Sequence, residues 1–565
     1  MEGKGISPGI TCGKVYVRKR KIEVDFHKVK KQEINEELSR FKEAINVVEC
    51  ELKETKKKSA GFLDEEKSQI FTAHLKILQD PELIPSIETS IVEERLNAEA
   101  AVKKNFDHYV NYFIKMEDNY IKNCGFDIRD IGYRIIQVLQ NFEEDYVSEE
   151  EIILVSEYLS PSELAGMDKD KLLAFVTREG SYTSHTAIVA RSLGIPAVVV
   201  PEKKFFDFVK TGDEIIVDGD CGRVILNPEK NVRENYRKRI KKRERKKKRL
   251  LSFRDKKTVT NDGERVPVLG NIGNLDELDD IFDNGGEGVG LFRTEFIYMN
   301  RNKLPGEDEQ YSIYRKVIEK AKNMPVTIRT LDVGGDKDIK YLNISRESSS
   351  YRSIRFCLDN INLFKVQLKA ILRAAVHGNV KIMYPFITSL DEFRKAEKIK
   401  SDVEDELRKK KINFDETVET GIMIETPAAV MISDILAREV DFFSIGTNDL
   451  IQYIMSIDRN NEKVSNLFSY YHPAVLRSIK RTIKNGHSEG IKVSMCGELA
   501  GDIKLLPFLL GAGLDEFSLS SISILKIKKE MGKWTREEGV EKTENLLQME
   551  TARKVERHLR EIRRK

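Results

Sequence analysis

No stretch of this chain approaches the ~18 uninterrupted apolar residues of a membrane span. The opening, Met1 to Ile10, carries no apolar run of the signal-peptide kind. Cysteine is sparse. Cys12, Cys50, Cys124, Cys221, Cys357 and Cys496 are scattered, and no two stand at CxxC spacing. That excludes a zinc ribbon and a disulfide framework and leaves free thiols, the pattern expected of a cytoplasmic protein. Charge bias is also missing. A net charge of +3 gives the whole chain no electrostatic drive toward nucleic acid or an anionic membrane.

What is present describes a folded, multidomain protein. Hydrophobic residues make up 40% and charged residues 33% of 565 positions, which argues against wholesale disorder. One hydrophobic core cannot serve that length, and ~100–200 residues per domain implies about three or four units. From Ile34 the pattern is helical: Ile34, Leu38, Phe41, Ile45, Val48 and Leu52 alternate steps of four and three. Asp80-Pro81 interrupts it, and helical character continues to about residue 145. Short β-rich runs follow at 151–155, 174–177, 197–200, 215–217 and 224–226. Between them a helix is expected from His185 to Leu193, closed by Gly194 and Pro196. This is the texture of a small α/β domain. Residues 230–258 form a basic, helical connector, read as a solvated linker; no nucleic-acid-binding fold surrounds it.

Beyond residue 260, eight apolar runs alternate with helical segments: 266–272, 289–292, 326–328, 380–383, 422–424, 442–445, 493–495 and 517–519. This is the arithmetic of a (β/α)8 barrel, whose active site lies at the C-terminal strand ends. Those ends carry Arg293, Arg329, Glu425, Asn448, Asp449 and Cys496. Arg293 and Arg329 offer permanently charged planar forks suited to phosphate or carboxylate. Glu425 and Asp449 are hard oxygen ligands apt for Mg²⁺, which takes one or two carboxylates plus substrate oxygens. Asn448 can donate to a phosphate oxygen. Singly, each arginine is as readily a structural ion pair, and a lone thiol is usually a small buried hydrophobe. Together, on several strands of one barrel, they point to a small, multiply anionic substrate held with a divalent metal. His185 stands where a helix begins, beside Thr183, Ser184 and Thr186. The exposed N–H groups there favour phosphate, and imidazole can carry a group covalently. The local pattern equally fits a capping segment with an incidental histidine.

The stretch Thr183-Ser184-His185-Thr186-Ala187-Ile188-Val189-Ala190-Arg191 resembles the phosphohistidine signature of the phosphoenolpyruvate-utilising enzymes. Residues 290–296, 328–337, 424–428, 443–450 and 496–502 resemble their barrel signatures, in the same order. The domain order resembles Enzyme I of the bacterial sugar phosphotransferase system over nearly the whole chain, including Gly5-Ile6-Ser7-Pro8-Gly9. The related dikinases carry a large ATP-grasp domain, which is not expected within these domain bounds.

The resemblance implies a multidomain α/β fold. A swivelling phosphohistidine domain (1–22 with 145–228) carries an inserted all-α domain (23–144) that docks the carrier protein HPr. A linker helix (229–258) leads to a TIM barrel (259–565) that binds phosphoenolpyruvate and forms a homodimer. It further implies Mg²⁺ on Glu425 and Asp449, with substrate held by Arg293, Arg329, Arg352, Asn448, Asp449 and Arg459. His185 would take the phosphoryl group and pass it to HPr, and Cys496 would protonate the enolate of pyruvate. Because His185 and the barrel belong to different domains, a large swing is implied.

Two departures stand out. Gly180-Ser181-Tyr182 replaces the family's paired glycines and basic residue, and Ser348-Ser349-Ser350 replaces its Asn-Pro-x-Leu-Gly segment. A regulatory phosphorelay uncoupled from sugar uptake is the alternative, though residues 1–22 are too few for an N-terminal sensor domain. Transfer to a small molecule fits poorly with a helical platform at 23–144, and a basic non-enzymatic interaction protein fits poorly with the arginine and carboxylate set.

Overall fold

The computed structural model describes residues 1–18, 24–59, 65–114, 119–141, 150–168, 171–180, 184–299, 303–334, 351–457 and 468–562. The chain divides into two compact units, Met1–Arg245 and Lys246–Lys565.

The first unit combines a sheet with a set of helices. Strands β1 (Lys4–Ser7) and β2 (Ile10–Arg18) precede five helices: α1 (Ile34–Ser59), α2 (Glu65–Leu78), α3 (Leu83–Val92), α4 (Ala98–Ile114) and α5 (Asn119–Leu139). The chain then returns through β3 (Ile152–Ser156), α6 (Pro161–Gly166), β4 (Leu172–Thr177), α7 (His185–Leu193) and β5 (Ala197–Val199). Helix α8 (Lys203–Phe208), β6 (Glu214–Asp218) and β7 (Arg223–Leu226) complete the layer. The seven strands lie in the order β1-β5-β4-β3-β2-β6-β7. Thus β2 runs parallel to β3, with Lys14 beside Ile152 and Arg18 beside Ser156, across the whole helical insertion. Neither β1 nor β2 was among the expected runs; α5 ends at Leu139, and the expected boundary near 145 lies outside the described residues.

Apolar periodicity explains the packing. On α1, Phe41, Val48 and Leu52 are buried and share one core with Phe106, Ile131 and Ile135. That core continues onto one sheet face through Leu154 and Phe175, covered by Ala187 of α7. The opposite face buries Ile153, Val155, Val176, Phe205 and Phe206. Two covered faces account for the nearly unbroken apolar sequence of β3. Each fully buried large side chain contributes roughly 1.5–3 kcal/mol of transfer free energy.

Helix α7 is held at both ends. Ser184 caps it by accepting from the Ala187 N–H, and Gly194 closes it at φ +69°, a left-handed turn glycine tolerates freely. Thr186 Oγ1 donates to the Leu159 carbonyl and Arg191 to the Ile6 carbonyl. The basic helix α9 (Lys230–Leu251) lies along the unit by one stripe. Its Tyr236 is buried, and Arg233, Arg239 and Arg243 pair with Glu214, Asp218 and Asp220.

The second unit is a closed barrel of eight parallel strands. They are β8 (Val268–Ile272), β9 (Val289–Arg293), β10 (Val326–Arg329), β11 (Val380–Tyr384), β12 (Glu419–Ile424), β13 (Phe442–Ile445), β14 (Lys492–Met495) and β15 (Glu516–Leu519). They neighbour one another in sequence order, and β15 closes on β8. All eight expected runs are strands. Their outward residues, such as Phe292, Ile328, Ile382, Ile424 and Phe517, pack under the surrounding helices. The interior gathers Leu291, Met383, Met423, Phe442 and Cys496.

Candidate active site

Two places carry chemistry, one in each unit. In the barrel it is the C-terminal rim. Arg329 ends β10, beside Arg293 of β9 in register. Its buried guanidinium pairs with Glu295 and, at 3.0 Å, with Asp332. Asp332 also receives Arg352 at 3.0 Å, and Arg352 reaches Asp449 at 3.5 Å. The Arg352 guanidinium lies 5.0 Å from the centre of the Phe386 ring. Burial opposes charge on both arginines, but the surrounding carboxylates outweigh it and hold them more firmly protonated than usual.

Glu425 follows β12 and is almost fully enclosed. Its Oε1 accepts the Phe386 N–H at 2.7 Å. Burial, then the negative charges of Asp449 and Asp332, push its carboxyl up to about 8, against the pull of Arg329 and Arg352. Cys496 closes β14. Burial pushes its thiol up to about 11, so it is protonated at neutral pH. Asn448 opens the helix Thr447–Met455, and its Oδ1 accepts from the Glu498 N–H at 3.4 Å. Arg459 lies outside the described residues.

Two features of this rim suit an anion held together with a cation. The Nε atoms of Arg293 and Arg329 are buried and make no hydrogen bond among the described residues. Buried donors left unpaired are costly, and a phosphate or carboxylate would satisfy them. The carboxylates fit a divalent cation. Glu425 and Asp449 repel one another, and a cation relieves that repulsion. Among the described residues no group of three or more metal-ligating side chains forms. Two carboxylates are a donor set Mg²⁺ commonly takes, with water and substrate oxygens completing its shell.

In the first unit, His185 opens α7 and is partly exposed. Its Nδ1 lies 3.0 Å from Asp127 Oδ1, on α5. Asp127 also faces Nε2 of His74 at 3.3 Å, and Asp130 lies 4.0 Å from His74 Nδ1. His74 is fully buried. Burial disfavours its charge, but Asp127 and Asp130 overcome this and raise its pKa. Burial likewise opposes ionisation of Asp127, yet bonds to His185 and His74 hold it below the usual carboxylate range. Arg129 reaches across to Glu179 at 2.6 Å.

All eight barrel strands fall within residues 247–536, which match the family description "PEP-utilising enzyme, PEP-binding domain". The chain belongs to the phosphoenolpyruvate-utilising enzyme family. Two further descriptions of that family match residues 2–123 (the N-terminal part) and 148–222 (the mobile domain). The chain is 40% identical over 560 residues to the phosphoenolpyruvate-protein phosphotransferase of Priestia megaterium, covering 98% of this chain and 97% of that one. It is 41% identical to the protein of the same name from Bacillus subtilis (strain 168), covering 98% of each chain. Among solved structures it is similar to the NMR solution structure of Enzyme I (nEIt), at 37% identity. That match covers 43% of this chain and 99% of that one, with a TM-score of 0.37.

Sequence reasoning named the family's rim residues but missed their partners. Glu295 and Asp332 hold Arg329, Phe386 holds Glu425, and Asp127 with His74 backs His185. Glu295 and Asp332 were in view as members of the motifs. Asp127 gave no signal, because its link to His185 spans 58 residues.

Proposed function

We propose that this protein transfers the phosphoryl group of phosphoenolpyruvate to its own His185, and from there to a histidine of the carrier protein HPr. It is then the first step of a sugar phosphotransferase system. The observation that carries the reading is the barrel rim, where Arg329, Arg352, Asp332, Glu425 and Asp449 form one cluster of charged groups with the buried thiol of Cys496 beside it.

Phosphoenolpyruvate would lie in this rim against Arg293, Arg329, Arg352, Asn448, Asp449 and Arg459. Mg²⁺ on Glu425 and Asp449 would neutralise charge on the transferring group and the leaving oxygen. The arginine forks orient the phosphate and carboxylate and stabilise the transition-state charge. His185 attacks phosphorus through Nε2. The bond between phosphorus and the enol oxygen breaks, and its electron pair leaves on the enolate. Cys496 gives its thiol proton to C3, producing pyruvate, and recovers a proton from solvent. The engagement of Nδ1 by Asp127 supports Nε2 as the reactive atom, because a proton held at Nδ1 leaves the Nε2 lone pair free.

His185 belongs to one compact unit and the rim to the other. The phosphohistidine domain (1–22 with 145–228) is proposed to swing on the connector at 229–258, between the barrel and an HPr docked on 23–144. The barrel region (259–565) is the proposed homodimer contact. Cytoplasmic location is part of the same reading; among the described residues no helix is long and apolar enough to cross a membrane.

Incubation with phosphoenolpyruvate labelled in its phosphate, plus Mg²⁺, tests the reading. Wild type should gain acid-labile, base-stable label, and His185→Ala none. Equal labelling of that variant would refute it.

A further inference from the structure

Behind the rim lies a buried polar network that the reaction scheme does not use. Its centre is Gln367, on the helix Ile361–Ala375, with no exposed surface. Its Oε1 accepts the Leu331 N–H at 2.9 Å. Its Nε2 donates to Thr294 Oγ1 at 3.1 Å and to the Tyr314 hydroxyl at 3.2 Å. A backbone N–H can only donate, so Leu331 fixes which end of the amide faces it.

The other directions then follow. Thr294 Oγ1 accepts from Gln367 and donates to the Arg329 carbonyl at 2.8 Å. Tyr314 accepts from Gln367 and donates to Gln310 Oε1 at 3.1 Å. Tyr298 donates to the same oxygen at 3.0 Å, and Gln310 Nε2 donates to the Pro305 carbonyl. Both amide hydrogens and the carbonyl of Gln367 are thus satisfied in the buried interior. Fully satisfied networks of this kind rigidify what they join.

The near end of the network joins the two arginine strands. Thr294 lies between Arg293 and Glu295, the partner of Arg329. The Arg329 carbonyl and the Leu331 amide flank Thr330, and Asp332 follows directly. One buried amide therefore spans the ends of β9 and β10, where Arg293, Arg329 and both carboxylates of Arg329 originate. The far end runs through Gln310 to Tyr298 and the Pro305 carbonyl, one hydrogen bond further from Gln367.

We infer that Gln367 is a positioning residue: it sets the spacing of Arg293 and Arg329, and with it the affinity of the rim for the substrate phosphate. The inference rests on the reading of the rim as the phosphoenolpyruvate site. Displacements of about 1 Å at such sites cost up to ~10²-fold. Loss of the amide should act chiefly on substrate affinity, because Arg293 and Arg329 hold the phosphate before transfer as well as during it, and loss of such uniform binding raises half-saturation with little change in maximal rate.

The test is single-turnover self-labelling of the full chain over a range of phosphoenolpyruvate concentrations, with melting temperatures measured alongside. Gln367→Met keeps the volume and removes the hydrogen bonds. It should raise the half-saturating concentration about tenfold or more, with the maximal rate changed less than about threefold. Tyr298→Phe cuts the far end and should leave that concentration unchanged. Thr294→Val should repeat the Gln367→Met effect without adding to it in the double variant, and Thr294→Ser, which keeps the hydroxyl, should restore it. These two variants report on the same bond should Gln367→Met fail to fold. An unchanged half-saturation in Gln367→Met or Thr294→Val, or an equal rise in Tyr298→Phe, would overturn the inference. Unlabelled wild type would bring down the reading of the rim and this inference with it.

Discussion

Single residues here owe their chemistry to burial set against charge. Glu425 sits in a protein interior beside two other carboxylates, which raises its carboxyl to about 8. A group whose folded pKa is raised stabilises the fold fully below its unfolded value, near 4.5, and loses that contribution as pH rises through about 8. Without a divalent cation, the melting temperature should fall across that window. Mg²⁺ should offset the fall, and Glu425→Gln should remove its contribution. A pH- and Mg²⁺-independent profile would contradict the site. Asp127 shows the reverse case. Its lowered pKa and the raised pKa of His74 favour the ionised pair, which is most complete at mildly acidic pH. Asp127→Asn should therefore lower the melting temperature more at about pH 5.5 than at pH 8, the gap closing as His74 loses its proton. The same variant should slow labelling of His185, whose Nδ1 then faces a neutral amide oxygen in place of a carboxylate.

At the scale of elements, loops after strands place the chemistry, and their tightness leaves little slack. Gly497 follows Cys496. A Cβ there would stand 1.9 Å from Thr447 Oγ1 and 2.6 Å from the Thr447 backbone nitrogen. The turn after β14 and the helix that presents Asn448 and Asp449 are thus pressed together. Gly497→Ala should destabilise the barrel by roughly 1–3 kcal/mol, as overpacking does. Its effect on transfer should be larger than its effect on melting, because Cys496 and Asn448 move with it. A melting shift with normal self-labelling would show that the loops tolerate displacement. The elements were also the most legible level in sequence. Strands buried on both faces read as unbroken apolar runs, so all eight barrel strands were visible. Helix α7 announced itself by its cap at Ser184 and its stop at Gly194. Strands β1 and β2 were not visible. Only pairing with segments more than a hundred residues away defines them as strands of this sheet.

For the molecule as a whole, the division into two units separates the proposed carrier histidine from the proposed donor site. The first unit has its own cores on both faces of its sheet, so residues 1–245 should fold alone with a cooperative melting transition. That fragment should take no label from phosphoenolpyruvate, alone or mixed with an inactive barrel, since it lacks the rim. Labelling of the fragment by phosphoenolpyruvate would place the donor site in the first unit and refute the two-site scheme.

The sequence by itself determined the family, the order of domains, the barrel and the residue types at its rim. These follow from local information: apolar period, strand and helix stops, and motifs written in consecutive residues. Tertiary structure alone decided which charges meet. It set Arg352 between Asp332 and Asp449, put Asp127 and His74 behind His185, and ran Gln367 beneath the two arginine strands. Such contacts join residues far apart in the chain. They exist because burial forces each polar group to find a partner wherever the fold brings one within reach.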